Sequence, residues 1–295
     1  MLQTREWPRQ ERKAVPLEVF AVVVMAAIGH AVWNALLRAE RNKRGMMRVM
    51  FTTQMVAALA ILPFVPLPNV ESLPYLVASA SIGVGAMLLL SHAYGIGDLS
   101  QVYPLSRGSA PLFVALISTT LLGEELSWGN FAGIVLIGFG VTSLSLTRGI
   151  HSLQNGPLIA VALANGALTA LCNLIDGYGA RVSGSTHGYV ATLAFLLSAL
   201  MVLTTRITER GAAVPMTARA TWLGILAGLM SLTTAWAVIW AMTHAPIPLI
   251  SALRESSIIF ATAIGIFFFR EAPTRGRLIS IALVVLGVAV LRLGA

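Results

Sequence analysis

Residues 103–127, YPLSRGSAPLFVALISTTLLGEELS, have a counterpart 147 residues later in residues 249–274, LISALRESSIIFATAIGIFFFREAPT. Each stretch carries one arginine, Arg107 or Arg254, within sequence that otherwise reads as lipid-buried helix. A buried charge is costly unless it is paired or faces water. Because both halves of the 295-residue chain carry this cost at equivalent positions, we expect the two arginines to have a role.

The two stretches keep the same register well beyond the arginines. Identical or similar residues at the offset of 147 include polar and small side chains, which shared apolar composition would not match. The pairs are Ser109 and Ser256, Phe113 and Phe260, Glu124 and Glu271, Ser127 and Thr274, and Gly140 and Gly287. The pattern indicates an internal repeat of about half the chain.

The composition is typical of a membrane protein. Hydrophobic residues make up 57% of the chain and charged residues 11%, whereas a soluble domain carries about 25% charged residues. Apolar runs of about 20 residues can each cross a bilayer core of about 30 Å. We therefore predict an all-α integral membrane protein with ten transmembrane helices, at residues 16–37, 47–66, 74–94, 103–122, 129–147, 156–176, 187–206, 220–242, 249–269 and 277–293.

Five helices in each half have a topological consequence. An odd number makes the second half enter the membrane from the opposite side, which gives inverted repeats. The predicted repeats are residues 17–147 and residues 156–292. Such repeats place a substrate site near the midplane, where the halves meet, and rocking of one half against the other alternates access to it.

Three features resemble the drug/metabolite transporter superfamily, in particular its EamA-type permeases. They are HAVWNALLR at 30–38, AYGIGDLSQVYPLSRGSAP at 93–111, and the repeated Glu, Ser/Thr and Gly pattern of helices four, five, nine and ten. The resemblance covers essentially the whole chain as two EamA units. It implies ten helices, a central cavity and secondary active transport of a small metabolite in a bacterial cytoplasmic (inner) membrane, with both termini in the cytoplasm.

Loop charges favour the opposite orientation. Twelve Lys and Arg residues lie in the odd-numbered loops, against six at the termini and in the even-numbered loops. The positive-inside rule would place the odd loops in the cytoplasm and the termini outside. The sequence therefore leaves the orientation and the direction of transport open.

The leading functional hypothesis is a permease for a small polar or amphipathic metabolite. Two arginines against one acid in the membrane favour a substrate with a carboxylate or phosphate. Aromatic walls would equally suit a cationic or aromatic substrate. One alternative is an intramembrane enzyme, for which no G-x-S-x-G, H-E-x-x-H or metal-spaced Cys/His cluster is found. The other is a channel or lipid scramblase, but the internal inverted repeat favours alternating access instead.

The expected partners follow from the same hypothesis. They are a small-molecule substrate, membrane lipids and protons as the candidate coupling ion, in a monomer or a homodimer. No nucleic acid is expected, because the basic residues flank helices as topology signals do. No cofactor or metal is expected either.

The candidate site residues lie on five predicted helices. Arg107 and Arg254 are predicted to face the cavity, to pair with a nearby acid or to snorkel to the headgroups. Glu255 is either a proton-coupling group or the structural partner of an Arg or His on another helix. The other candidates are His30, Trp33 and Asn34 on one face of helix one, Asn165 and Asn173 on helix six, Trp236 on helix eight, and Tyr103 before Arg107.

Four further acids are interpreted as structural. Asp98 precedes helix four and Asp176 closes predicted helix six, so both are expected to cap helix ends at the interface. Glu124 and Glu271 end their helices beside polar turns. We interpret these two as markers that fix the corners between helices four and five and between helices nine and ten.

Overall fold

The computed structural model describes residues 15–96, 99–145, 156–208 and 216–293. Within these ranges the chain folds into helices joined by short turns, and no described residue is in a β-strand. The helices are α1 Leu17–Ala39, α2 Lys43–Ile61, α3 Leu73–Ile96, α4 Leu99–Thr120, α5 Trp128–Ser143, α6 Gly156–Val182, α7 Thr186–Thr208, α8 Ala218–His244, α9 Ile247–Arg254, α10 Ser257–Phe267 and α11 Arg275–Leu293.

These helices correspond to the ten predicted spans. In the described part of the chain, 8 segments are long and apolar enough to cross a membrane, and α5 is shorter. The ninth predicted span, residues 249–269, is a single crossing in two pieces, α9 and α10. The structure thus confirms the predicted fold class and adds a break in the ninth span.

The ends of the helices show the inverted topology. Arg181, near the end of α6, donates to the carbonyls of Met242 and Ala245 at the end of α8. Arg38, near the end of α1, instead contacts Glu271, which precedes α11. We call the end of the bundle that holds Arg181 and Ala245 face A, and the end that holds Arg38 and Glu271 face B. The helix α1 ends on face B and its counterpart α6 on face A, as inverted repeats require.

Helix contacts follow the repeat as well. The helix α1 packs against α8 and α10, and its counterpart α6 packs against α3 and α4. The pairs α2 with α7 and α5 with α11 each join equivalent helices. The boundaries of the two repeats stay a prediction, since residues 146–155 lie outside the described ranges.

Equivalent hydroxyls begin equivalent helices. The Ser127 side chain accepts a hydrogen bond from the Asn130 backbone at the start of α5, at 3.1 Å. At the start of α11 the Thr274 side chain accepts from the Arg277 backbone at 3.4 Å. Such N-caps satisfy amide groups that the helix leaves free. The repeated Ser/Thr therefore has a local structural cause.

The crossing of α5 and α11 depends on small residues. The Ser280 hydroxyl donates to the carbonyl of Gly140. Seven residues along each helix, a Cβ at Gly287 would lie 2.9 Å from the carbonyl oxygen of Gly133 and 3.0 Å from the Ile137 nitrogen. These neighbours are backbone atoms, so only a residue without a Cβ allows the helices to approach this closely.

We predict that Gly287→Leu destabilises the protein by about 1–3 kcal/mol or more, since overpacking forces the backbones apart. Thermal unfolding in detergent would measure the loss. The matched control is Gly85→Leu, because Gly85 is exposed and a Cβ there meets nothing within 4 Å. Equal melting temperatures for the two variants would contradict the close crossing.

Candidate functional site

The break between α9 and α10 lies in the most buried part of the bundle. Every residue of 247–253 is buried, and Glu255 is only 5% exposed. The amides of Glu255 and Ser256 donate to carbonyls three residues back, at 3.0 Å each. This tight 3₁₀-like turn is typical of functional hinges within helices. It places Arg254 and Glu255 in the turn.

Arg107 reaches this turn from the other half of the molecule. Its Nη2 lies 3.1 Å from Glu255 Oε1, and the two side chains are 13% and 6% exposed. The same Nη2 lies 3.5 Å from Nε2 of His30 on α1. Arg107 therefore pairs with an acid across the two repeats and does not snorkel to a helix end.

Arg254 has a different environment. Its Nη1 donates to Asn173 Oδ1 over a long 3.5 Å, while its buried Nε has no hydrogen-bond partner among the described residues. No carboxylate in the described ranges lies within 4.0 Å of it. Glu255, Tyr103 on α4 and Asp176 act on it electrostatically from farther away. Two arginines and one glutamate give this cluster an excess of one positive charge when His30 is neutral.

The two asparagines of α6 have separate roles. Both polar groups of the Asn165 side chain form hydrogen bonds to other helices. Its Nδ2 donates to the Ala86 carbonyl on α3 and its Oδ1 accepts from Ser106 on α4, both at 2.6 Å. Gly166 allows this approach, because a Cβ there would meet the Ser109 side chain. Asn173 lies in the arginine cluster and also donates to Ser251 Oγ at 3.1 Å.

Of the three candidates on α1, His30 reaches the arginines. The Trp33 ring packs edge-on against His30 with centroids 5.0 Å apart, and its buried Nε1 has no partner in the described part of the chain. The Asn34 amide donates to the His30 carbonyl of its own helix at 2.8 Å. The shared face predicted for these residues therefore brings one side chain to the cluster.

Trp236 lines a separate groove. Its indole nitrogen donates to His187 Nδ1 at 2.8 Å. The groove has a volume of about 330 Å³ and is open on one side, and its lining is almost entirely apolar. Its lining residues are Val22, His187, Thr233, Trp236, Ala237 and Trp240. None of the arginines is among them.

Asp176 corrects an expectation from the sequence. The helix α6 continues to Val182, so Asp176 lies inside the helix and does not cap its end. The Tyr189 hydroxyl on α7 donates to its Oδ1 at 3.4 Å, and Ser79 on α3 also hydrogen bonds to it. Sequence reasoning missed this position because it placed the end of the helix six residues too early. Asp98 lies outside the described residues.

The corner acids make reciprocal contacts between the repeats. At face A, Glu124 of the first repeat accepts from Tyr178 at 3.0 Å and lies 3.9 Å from Arg181 of the second. At face B, Glu271 of the second repeat pairs with Arg38 of the first and, at 2.7 Å, with its neighbour Arg277. We call these contacts the face A latch and the face B latch.

The backbone holds both corner acids in the same way. The Glu124 amide donates to the Ser118 carbonyl at 2.9 Å, and the Glu271 amide donates to the equivalent Gly265 carbonyl at 3.1 Å. At Glu271, partial burial raises the pKa, but hydrogen bonds from Arg38 and Arg277 outweigh it and hold the pKa below its ordinary value. The face B carboxylate therefore stays charged at neutral pH.

Comparisons with known proteins agree with this architecture. Residues 18–146 match the EamA-like transporter family, which bears out the resemblance noted in the sequence over the first predicted repeat. A solved crystal structure of a protein at 20% identity has a TM-score of 0.73 and covers 94% of this chain and 96% of its own; it shows the shared fold. No curated protein matches the sequence. In the described ranges, no group of three or more His, Cys, Asp or Glu could hold a metal ion.

We predict that Glu255→Gln lowers stability by about 3–5 kcal/mol, because it leaves the Arg107 charge buried without its counter-charge. The double variant Arg107→Leu/Glu255→Leu should recover much of that loss. Thermal unfolding of Arg107→Leu, Glu255→Leu and the double variant gives the coupling energy. Additive effects of the two substitutions would show that the pair does not join the halves.

Proposed function

We propose that the chain is a transporter of the drug/metabolite transporter superfamily, a secondary active transporter for a small metabolite that carries a carboxylate or phosphate; the match of residues 18–146 to the EamA-like transporter family supports this. In this proposal it works by alternating access between faces A and B, in a bacterial cytoplasmic membrane. The observation that carries the substrate class is the buried guanidinium of Arg254, which forms no ion pair with any described carboxylate and has an Nε without a described partner.

The chemistry of Arg254 supports an anionic substrate. A guanidinium presents donors in a fixed fork that matches carboxylate and phosphate oxygens. Here its Nε is buried without a described partner, and one amine group has a long bond to Asn173. An anion would satisfy the donor and balance the excess charge of the cluster. A cationic substrate would instead meet two arginines against a single glutamate.

The position of the cluster supports alternating access. Its residues come from α1, α4, α6 and α9, hence from both repeats, and relative motion of the repeats would change its exposure to each face. The 3₁₀-like turn beside Arg254 supplies a point at which α9 and α10 can change their angle. Binding of the substrate and movement of the halves would then involve the same residues.

The two latches support the same mechanism. Each joins one repeat to the other at opposite ends of the cluster, so opening one face while closing the other would break and form equivalent contacts. The Arg181 side chain in the face A latch is 7% exposed, whereas Arg38 in the face B latch is 57% exposed. This difference supports a state more tightly closed at face A.

The substrate class can be tested by a thermal-shift screen of a metabolite library, because any ligand of the folded state raises its stability. We expect anionic compounds to stabilise the wild type. Arg254→Ala should weaken their binding by about 10- to 100-fold, the value of a charge-assisted hydrogen bond. The hits would then be tested for exchange in proteoliposomes.

Arg219→Ala is the matched control, because Arg219 is an exposed arginine at the start of α8 and its loss removes the same charge. It should bind the hits like the wild type. Stabilisation by cationic compounds alone, or anion binding that Arg254→Ala leaves unchanged, would contradict the proposed substrate class.

The latches predict reciprocal changes in backbone hydrogen exchange. Glu124→Gln should raise exchange a few-fold at the face A helix ends and lower it at residues 265–271, because weakening one closure favours the other. Glu271→Gln should do the reverse. Glu125→Gln is the matched control, since Glu125 is exposed beside the latch. If each latch variant raised hydrogen exchange only at its own face and left exchange at the opposite face unchanged, alternation through the latches would be refuted.

A further inference from the structure

A second acid lies within the membrane-spanning helices, apart from the Arg107–Glu255 pair. Asp176 is half-buried on α6, one helical turn beyond Asn173. Its hydrogen-bond partners, Tyr189 on α7 and Ser79 on α3, are neutral hydroxyls. No basic residue in the described ranges makes an ion pair with it. It is therefore held in place without being neutralised.

The charged and titratable groups around Asp176 are few. Cys172 lies one turn earlier on the same helix, Tyr189 faces it from α7, and Tyr75 on α3 lies near Tyr189. The positive charge that acts on Asp176 belongs to Arg254 on α9, which bonds to Asn173 one turn earlier on α6. Among the described groups of α4 and α8, none contributes a charge that acts on Asp176.

This environment differs from that of Glu255. Glu255 already has a counter-charge, because the Arg107 guanidinium lies 3.1 Å from its carboxylate. Among the described residues Asp176 forms no ion pair and accepts from the neutral Tyr189 hydroxyl, so a proton on its carboxyl would break no salt bridge. Of these two acids, Asp176 is thus the better suited to take up and release a proton.

We propose that Asp176 is a proton-binding site that couples proton movement to the binding of an anion at Arg254; the coupling rests on the proposed function. Uptake of one proton converts the carboxylate to a carboxylic acid and removes a negative charge that partly offsets Arg254. The site then attracts an anion more strongly. Because linkage is reciprocal, the bound anion favours the protonated acid. Proton and anion therefore move in the same direction.

The first experiment measures sulfate binding by thermal shift between about pH 5 and pH 8, where the charge of sulfate stays constant. In the wild type, sulfate should bind more tightly at the lower pH by about 5- to 150-fold. In Asp176→Asn the affinity should stay near the low-pH value throughout. Asp176→Glu should restore the dependence. Glu125→Gln, the matched control at an exposed carboxyl outside the cluster, should keep the wild-type pH dependence.

The second experiment measures the proton itself. Difference infrared spectra over the same pH range should contain the C=O stretch of a protonated carboxylic acid. That band should disappear in Asp176→Asn and persist in the control variant Glu125→Gln. This readout needs no ligand, so it separates the proton site from the anion site.

The outcomes distinguish the two proposals. Sulfate binding that requires Arg254 but has the same pH dependence in Asp176→Asn would overturn the coupling and leave the anion site intact. Absence of sulfate binding with an Asp176-dependent infrared band would count against the anion site and uphold the proton site. Absence of that band would overturn the proton site.

Discussion

The contact on which the rest of the structure depends is the buried ion pair between Arg107 and Glu255. Each charge is expensive in the interior of a membrane protein, and each is tolerated because the other lies 3.1 Å away. The partners come from different repeats. The pair therefore links the halves at the point where α9 breaks, and it leaves the second arginine, Arg254, without an acid of its own.

A nearly symmetric sequence thus produces an asymmetric site. The position equivalent to Glu255 is Gly108, and a Cβ there would lie 2.7 Å from the Gly138 carbonyl of α5 and would also meet Thr142. The close packing of α4 against α5 excludes any larger residue. In the second repeat α10 makes far looser contact with α11, and the chain there accommodates both an acid and a turn. Of the two arginines, only Arg107 consequently has an ion-pair partner among the described residues.

The sequence predicted the fold well, and the candidate site only in part. Hydropathy and the repeat at an offset of 147 residues can be read from the sequence without knowledge of tertiary contacts. They therefore predicted the spans and the inverted repeats. Helical spacing predicted a shared face for His30, Trp33 and Asn34, but it could not say that Asn34 bonds to its own helix. Nor could it place Trp236 in a groove away from the arginines. The surroundings of Asn34 and Trp236 depend on which helices pack against α1 and α8.

The sequence by itself determined that this is a membrane protein of two inverted five-helix units with an arginine at equivalent points. It did so because apolar length and internal similarity require no knowledge of contacts. Only the tertiary structure decided that Arg107 is neutralised, that Arg254 is not, and that Asp176 lies within a helix beside hydroxyl groups. A charge's role depends on what lies within a few ångströms of it, and those neighbours come from helices distant in the chain.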